Sequence, residues 1–378
     1  MTSTTSPTDL APVPLVDLAA QHAEVAAEVA AGWDQVLART AFVGGPQVAA
    51  FEAEFAAYLG VDHVLGVANG TDAIELALRA LDIGPGDECV LPANTFIATA
   101  EAVVRAGATP VLVDCVEDTL LMDPAALSGA VTGRTRAVLP VHLYGQCAEL
   151  EKIAPIAASV GAAVVEDAAQ AQGARRNGRA AGTIGEIAAT SFYPGKNLGA
   201  YGDAGAVMTN DAALAASVRL LREHGSPRKY EHTELGFNSR LDTLQAVVLS
   251  AKLRRLEGWN TDRRAAAARY DELLAEVDGV VRPVVADGNL PVWHLYVVRV
   301  PRRDEVLAAL HAVGIGAGIH YPTPLHLTGA FEHLGLRKGS FPVAERTAGE
   351  LLSLPLFPEI TEQQQQRVVA ALRGVSHP

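Results

Sequence analysis

The 378-residue sequence has no uninterrupted apolar run of the roughly 18 residues a bilayer-spanning helix needs. It also has few basic residues: 30 Lys and Arg stand against 43 Asp and Glu, a net charge of −13. Phosphate neutralisation along a nucleic acid needs clustered cations, and the basic runs here, such as Arg175-Arg176, Arg254-Arg255 and Arg263-Arg264, are no longer than pairs. The reading is no membrane segment and no nucleic-acid partner. The three cysteines, Cys89, Cys115 and Cys147, are odd in number and far apart, which suits reduced thiols better than a disulfide framework or a zinc site. The histidines show no H-x-x-x-H pair, so no metal is assigned. The opening MTSTTSPTDLAPVP lacks a basic stretch followed by an apolar one; it reads as a flexible lead-in over residues 1–13 of a cytoplasmic protein.

Two further signatures are missing. No G-x-G-x-x-G occurs, and GIGAG at 314–318 has the wrong spacing, which disfavours a dinucleotide-dependent hydride transfer. Lys196 follows a glycine, but a phosphate loop would need glycine at 190 and a hydroxyl at 197, where Thr190 and Asn197 stand.

What is present has a rhythm. HVLGVA precedes TDAIELALRAL, ECVLPA precedes FIATAEAVVRAG, TPVLVDC precedes DPAALSGAVTG, RAVLPVHL precedes AELEKIAPIAASVG, and AAVVED follows. Short Val/Ile/Leu runs without alternation are strands buried on both faces, so an α/β fold with a mostly parallel sheet between helices is expected. Ligands of such sheets sit at the carboxyl ends of strands. There the sequence places Asn69-Gly70-Thr71 at a helix start, a position suited to an anion or to an ordinary cap. It places Phe96 at the next strand end, as core or as a shelf for a flat ring, and Glu166-Asp167 with Gln170 after AAVV. Lys196 lies in SFYPGKNLGAYGDAG, where Gly195, Gly199, Gly202 and Gly205 permit close backbone approach. Phosphate, ring, positive nitrogen and carbonyl carbon are together the features of pyridoxal 5′-phosphate, whose chemistry uses a lysine and a carboxylate.

VANGTDAIELAL, PANTFIATAEAV, LPVHLYGQ, VEDAAQAQGA, SFYPGKNLGAYGDAGAVMTN, GFNSRLDTLQAVVL and HYPTPLH resemble, in order, motifs of the DegT/DnrJ/EryC1/StrS nucleotide-sugar aminotransferases. The resemblance implies a fold-type I PLP-dependent transferase: a large domain over 1–250 with a mixed, mostly parallel seven-stranded sheet, and a smaller C-terminal α/β domain over 251–378. It implies that Lys196 is the Schiff-base lysine, Asp167 meets the pyridine nitrogen and Gln170 the ring hydroxyl, Gly70, Thr71 and Ser191 hold the phosphate, and Phe96 stacks on the ring. It further implies a homodimer in which Asn238 reaches the neighbour's phosphate, with Tyr193, Tyr230, His320 and Tyr321 on the substrate side. The long helix through LDTLQAVVLSAKLRRLEGW is read as ending near Trp259-Asn260.

The implied activity moves an amino group from L-glutamate to a keto nucleotide sugar. Relatives acting at C4 tend to carry histidine two residues after the serine, where Tyr193 stands, so amination at C3 is expected, with a dTDP-3-keto-6-deoxyhexose as the substrate the resemblance suggests. Amination at C4, or of a UDP-3-keto sugar, which LYGQCA and FNSRLDTLQA also resemble, are the alternatives. A PLP- or PMP-dependent dehydratase, in which histidine replaces the lysine, and a non-catalytic binding protein are both disfavoured by Lys196.

Overall fold

The structure, a computed structural model, describes residues 11–375. Two helices, α1 (Leu18–Arg39) and α2 (Pro46–Leu59), precede the first strand. Then strands and helices alternate: β1 (His63–Val67), α3 (Gly70–Ala80), β2 (Glu88–Pro92), α4 (Ile97–Ala106), β3 (Thr109–Val113), α5 (Pro124–Ala130), β4 (Thr135–Val138), α6 (Leu150–Ser159) and β5 (Ala163–Asp167). A short hairpin, β6 (Arg175–Arg176) and β7 (Arg179–Ala180), leads to β8 (Ile187–Ser191) and β9 (Gly205–Thr209).

β1, β2, β3, β4, β5, β8 and β9 form one seven-stranded sheet in the order β1-β9-β8-β5-β4-β2-β3. Five of them run parallel in sequence from β8 to β3, while β9 is antiparallel to both of its neighbours, β1 and β8. This is the expected mixed sheet, and its strands are buried on both faces because helices cover both. Gly205 opens β9 opposite Val67 on one side and Ser191 on the other. A Cβ at Gly205 would stand 2.5 Å from the backbone C and O of Asn69, so only glycine lets the sheet close against the start of α3.

The chain then passes through α7 (Ala212–Leu221) into the 31-residue α8 (Thr243–Leu273). α8 runs beyond the expected end near Trp259. The run after it, AAAARYDEL, contains strong helix formers, and Ala266, Ala267 and Tyr270 bury themselves against the small sheet. Residue 250 lies inside this helix: Leu249, Leu253 and Leu256 pack in a core with Phe51 and Phe192, and from Ala266 onward the helix belongs to a core with Tyr296, Leu354 and Val369.

Past the short β10 (Asn289–Leu290), which pairs with β6, the C-terminal part is an antiparallel pair, β11 (Tyr296–Arg299) and β12 (Leu351–Leu354), with α9 (Arg303–Ala312), α10 (Pro342–Ala348) and α11 (Glu362–Val375). Of the lead-in expected to be flexible, residues 1–10 lie outside the described residues. Its end is held: Val13 is 1% exposed, bridges Ile315, and accepts from Gly316 N at 2.7 Å. That backbone pairing is what the polar composition of the segment did not convey. Among the described residues no helix is long and apolar enough to cross a membrane, and no group of His, Cys, Asp or Glu has metal-binding geometry.

Candidate active site

The carboxyl ends of β1, β5 and β8 open into a cavity of about 410 Å³, lined also by His294, His320 and Tyr321 from the C-terminal part of the chain. Its floor is the first turn of α3. Asn69 caps that helix, its Oδ1 accepting from Asp72 N at 2.8 Å, while the N–H groups of Gly70 and Thr71 donate to no acceptor among the described residues. Free amides at the positive end of an 11-residue helix form an anion site. Ser191 borders it so closely that a Cβ on Gly70 would lie 2.7 Å from the Ser191 Cβ.

Glu166 and Asp167, adjacent on β5, point to opposite faces, as successive strand residues must. Glu166 faces away from the cavity and is saturated: it accepts from His142 Nε2 at 2.7 Å, from Gly182 N at 2.8 Å, and from Ile184 N and Gly185 N at 2.6 Å each. Burial pushes its carboxyl upward, but these donors, with His142 foremost, outweigh burial and hold it below the usual carboxylate range. Asp167 faces the cavity. Thr99 donates to its Oδ2 at 2.8 Å and Ala169 N to its Oδ1 at 3.1 Å, which fixes the carboxylate plane. The backbone of Asp167 is clamped as well, between Pro140 O and His142 N at 3.0 Å each.

Lys196 lines the same cavity. Burial pulls its ammonium down to about 8, and the charge of Asp167 opposes that shift. An amine so placed is partly neutral near physiological pH and nucleophilic. Phe96, half exposed at the start of α4, stands 5.2 Å from the Tyr321 ring, centroid to centroid. Gln170 ties distant parts of the chain together: its Oε1 accepts from Tyr144 N at 2.6 Å and its Nε2 donates to Tyr321 Oη at 3.1 Å. Tyr144 Oη in turn donates to the His320 carbonyl. The His320 ring meets Ser353 Oγ at 2.8 Å, and burial, then the Lys196 charge, brings it down to about 4, so it is neutral at physiological pH.

The structure thus brings together Gly70, Thr71, Phe96, Asp167, Gln170, Ser191, Tyr193, Lys196, His320 and Tyr321. It does not bring Asn238 or Tyr230 to the cavity of their own chain. Asn238 is exposed, its Oδ1 accepting from Arg240 at 2.7 Å, and Tyr230 is 85% exposed beneath Lys229. Sequence reasoning missed Thr99, the hydroxyl that orients Asp167, and the buried His294 on the cavity wall. Thr99 sits three residues after Phe96 on the first turn of α4, a position from which a strand-end reading finds it; nothing local marks His294.

A mixed, mostly parallel sheet that gathers a lysine, a carboxylate and an unsatisfied helix start at its strand ends is a fold-type I transferase. The chain belongs to the DegT/DnrJ/EryC1/StrS aminotransferase family, whose profile matches residues 24–373, and it is an aminotransferase. A dTDP-3-amino-3,4,6-trideoxy-alpha-D-glucose transaminase of Streptomyces venezuelae is 48% identical over 361 residues, 96% of this chain and 95% of that protein. A UDP-N-acetyl-3-dehydro-alpha-D-glucosamine 3-aminotransferase of Acidithiobacillus ferrooxidans is 46% identical, covering 97% of this chain and 98% of that protein. The crystal structure of S. venezuelae DesV in complex with a ketimine intermediate matches with a TM-score of 0.95 at 48% identity, over 98% of this chain and all of that one.

Proposed function

We propose that the protein binds pyridoxal 5′-phosphate and moves the amino group of L-glutamate to C3 of a nucleotide-linked keto sugar, a dTDP-3-keto-6-deoxyhexose. The observation that carries this reading is the convergence of Lys196, Asp167 and the free amides of α3 on one cavity. The residues fit the cofactor. The amides of Gly70 and Thr71 with the Ser191 hydroxyl match a phosphate in a cradle that a Cβ on Gly70 would disturb. Asp167 offers a fixed carboxylate for a pyridinium nitrogen, Gln170 an amide for the ring hydroxyl, and Phe96 an aromatic face.

When bound, pyridoxal 5′-phosphate supplies an aldehyde that condenses with amines and a ring that takes up the electrons freed at the donor's α-carbon. The chain supplies the rest. Asp167 would hold positive charge at the ring nitrogen, and its two protein donors keep the carboxylate from turning away. With the cofactor bound, Lys196 Nζ would take the α-proton of glutamate and, in the second half-reaction, give a proton to the sugar carbon that gains the amine. The Gln170–Tyr321 contact and the Tyr144–His320 contact hold the small domain over the site and restrict water.

Amination at C3 is supported by Tyr193 at the cavity rim, where relatives acting at C4 carry histidine, and by the names of the two relatives above, both of which specify position 3. Asn238 lies on the surface, free to complete the phosphate site of a second copy in a homodimer. Three buried free thiols fit a reducing cytoplasm. The deciding assay offers a dTDP-3-keto-6-deoxyhexose and a dTDP-4-keto-6-deoxyhexose separately with glutamate and locates the new amine by NMR. Preference for the 4-keto sugar overturns the position, and amination of neither overturns the substrate.

A further inference from the structure

His294 lines the cavity that holds Lys196, and no step above uses it. Its Nδ1 lies 3.2 Å from Asn197 Oδ1. Which atom donates is settled one bond further along. Asn197 Nδ2 lies 2.9 Å from the Val292 carbonyl and 2.9 Å from Asn260 Oδ1. A carbonyl only accepts, so that end of the Asn197 amide is the nitrogen and the end facing His294 is a bare oxygen. Asn260 is oriented by the same logic, its Nδ2 donating to the Gln172 carbonyl at 2.9 Å. The proton between His294 and Asn197 therefore sits on His294 Nδ1.

The other ring nitrogen, Nε2, has no partner among the described residues. It carries a lone pair as long as the ring takes no second proton, and that proton is opposed by burial first, then by the charges of Lys196, Arg263 and His320. The buried network thus presents an acceptor-only imidazole to the cavity that Lys196 also lines, where Lys196 is the one lysine or arginine among the described lining residues. Lys196 Nζ, with up to three donors when protonated, makes no hydrogen bond to the described residues. Of the two carboxylates lining the cavity, Asp167 is engaged by Thr99 and Ala169 N, and an ion pair with Asp203 would hold the ammonium proton too firmly for a shuttle, whereas a neutral imidazole orients it and lets it go.

We infer that His294 is a positioning residue for Lys196, its tautomer locked by Asn197 so that Nε2 accepts a hydrogen bond from Lys196 Nζ while the lysine carries the proton between donor and sugar. This rests on the reading of Lys196 as the reacting amine.

The test uses cofactor-loaded protein labelled with ¹⁵N-histidine. One buried histidine should show a protonated Nδ1 and a bare Nε2 throughout the neutral range, and its Nε2 resonance should move when glutamate frees the Lys196 amine. In Lys196→Met the same addition should leave it in place. A protonated Nε2, or a resonance that glutamate does not move in the wild-type protein, overturns the inference. Kinetically, His294→Phe should lose roughly tenfold to a hundredfold in kcat, the worth of a hydrogen bond to a charged group, with little change in sugar KM. His294→Gln, whose amide oxygen reaches the place of Nε2, should recover most of that loss. If both variants raise sugar KM and leave kcat intact, His294 serves the sugar and the inference is overturned. Should His294→Phe not fold, the wild-type resonances decide alone. A wild-type protein that aminates no keto sugar yet shows the glutamate-dependent shift would refute the substrate proposed above and uphold this one.

Discussion

Thr99 Oγ1 donates to Asp167 Oδ2 at 2.8 Å, tying the first turn of α4 to the carboxylate at the end of β5. Thr99→Val keeps the shape and removes the donor. A hydrogen bond to a charged group is worth about 1.5–3 kcal/mol, so cofactor affinity, measured by spectroscopic titration, should fall about tenfold or more. Asp167→Asn should lose most turnover, since a neutral amide does not hold a pyridinium charge. Near-normal rates in Asp167→Asn would remove that residue from the site.

The neighbouring carboxylate should behave in the opposite way. Glu166→Gln turns an acceptor of four donors into a group that must present N–H to some of them. Breaking a buried pair of this kind costs about 3–5 kcal/mol, which urea denaturation should show. Because the folded carboxyl is held below its unfolded value, its contribution is present above the ordinary pKa of about 4.3 and is lost as pH falls through the folded value. Glu166→Gln should flatten that acid limb.

Gly205→Ala tests the cradle. The added Cβ would meet backbone atoms of Asn69 at 2.5 Å, and backbone, unlike a flexible side-chain tip, has no other rotamer to take. Overpacking costs about 1–3 kcal/mol, and here the displaced group is the start of α3. Loss of phosphate and cofactor affinity together with a lowered Tm is expected. Unchanged affinity would show that the α3 start does not hold the phosphate.

Lys196, brought down to about 8 by burial, sets a pH window. The unfolded chain binds its proton up to an ordinary lysine pKa of about 10.4, so between the two values the unfolded state holds more protons and stability rises with pH. Lys252, buried on α8 and also brought down to about 8, contributes with the same sign. Cofactor-free Lys196→Met should therefore lose part of this alkaline rise, and the wild-type rate of cofactor capture should be half-maximal near pH 8. A rate flat across that range would mean that the free amine of Lys196 is not what captures it.

The proposal that Asn238 completes the site of a second copy has its own test. Lys196→Ala chains and Asn238→Ala chains, each inactive, should recover activity when mixed, because each hybrid dimer would hold one site with both defects and one with neither. Verified subunit exchange without recovery would place Asn238 outside the neighbour's site.

The βα rhythm and the strand-end residues were legible in the chain itself, because buried parallel strands need unbroken Val/Ile/Leu runs and their carboxyl ends are marked by glycine, small polar residues and carboxylates. Lys196 stands out by its glycine-rich company, but a solvated loop carries such glycines too, and it is the set of strand-end residues with it that points to a site. Alternation along β5 says that Glu166 and Asp167 face apart, but which face meets the cavity depends on the turn at Gly182–Gly185 and on His142, which reach Glu166 from other parts of the chain. The reach of α8 past Trp259 has a local cause in the alanine-rich run at 265–268, whereas the face that Ala266 and Tyr270 bury is set by a core formed with residues far along the chain, Tyr296 and Leu354. His294 lies 97 residues from Asn197, and its tautomer passes through Asn197 and Asn260 to the Gln172 carbonyl. Local patterns record what each segment buries and how it turns. Which face a carboxylate presents, and which nitrogen of a histidine stays bare, are set by hydrogen bonds between segments, and only the tertiary structure decides those.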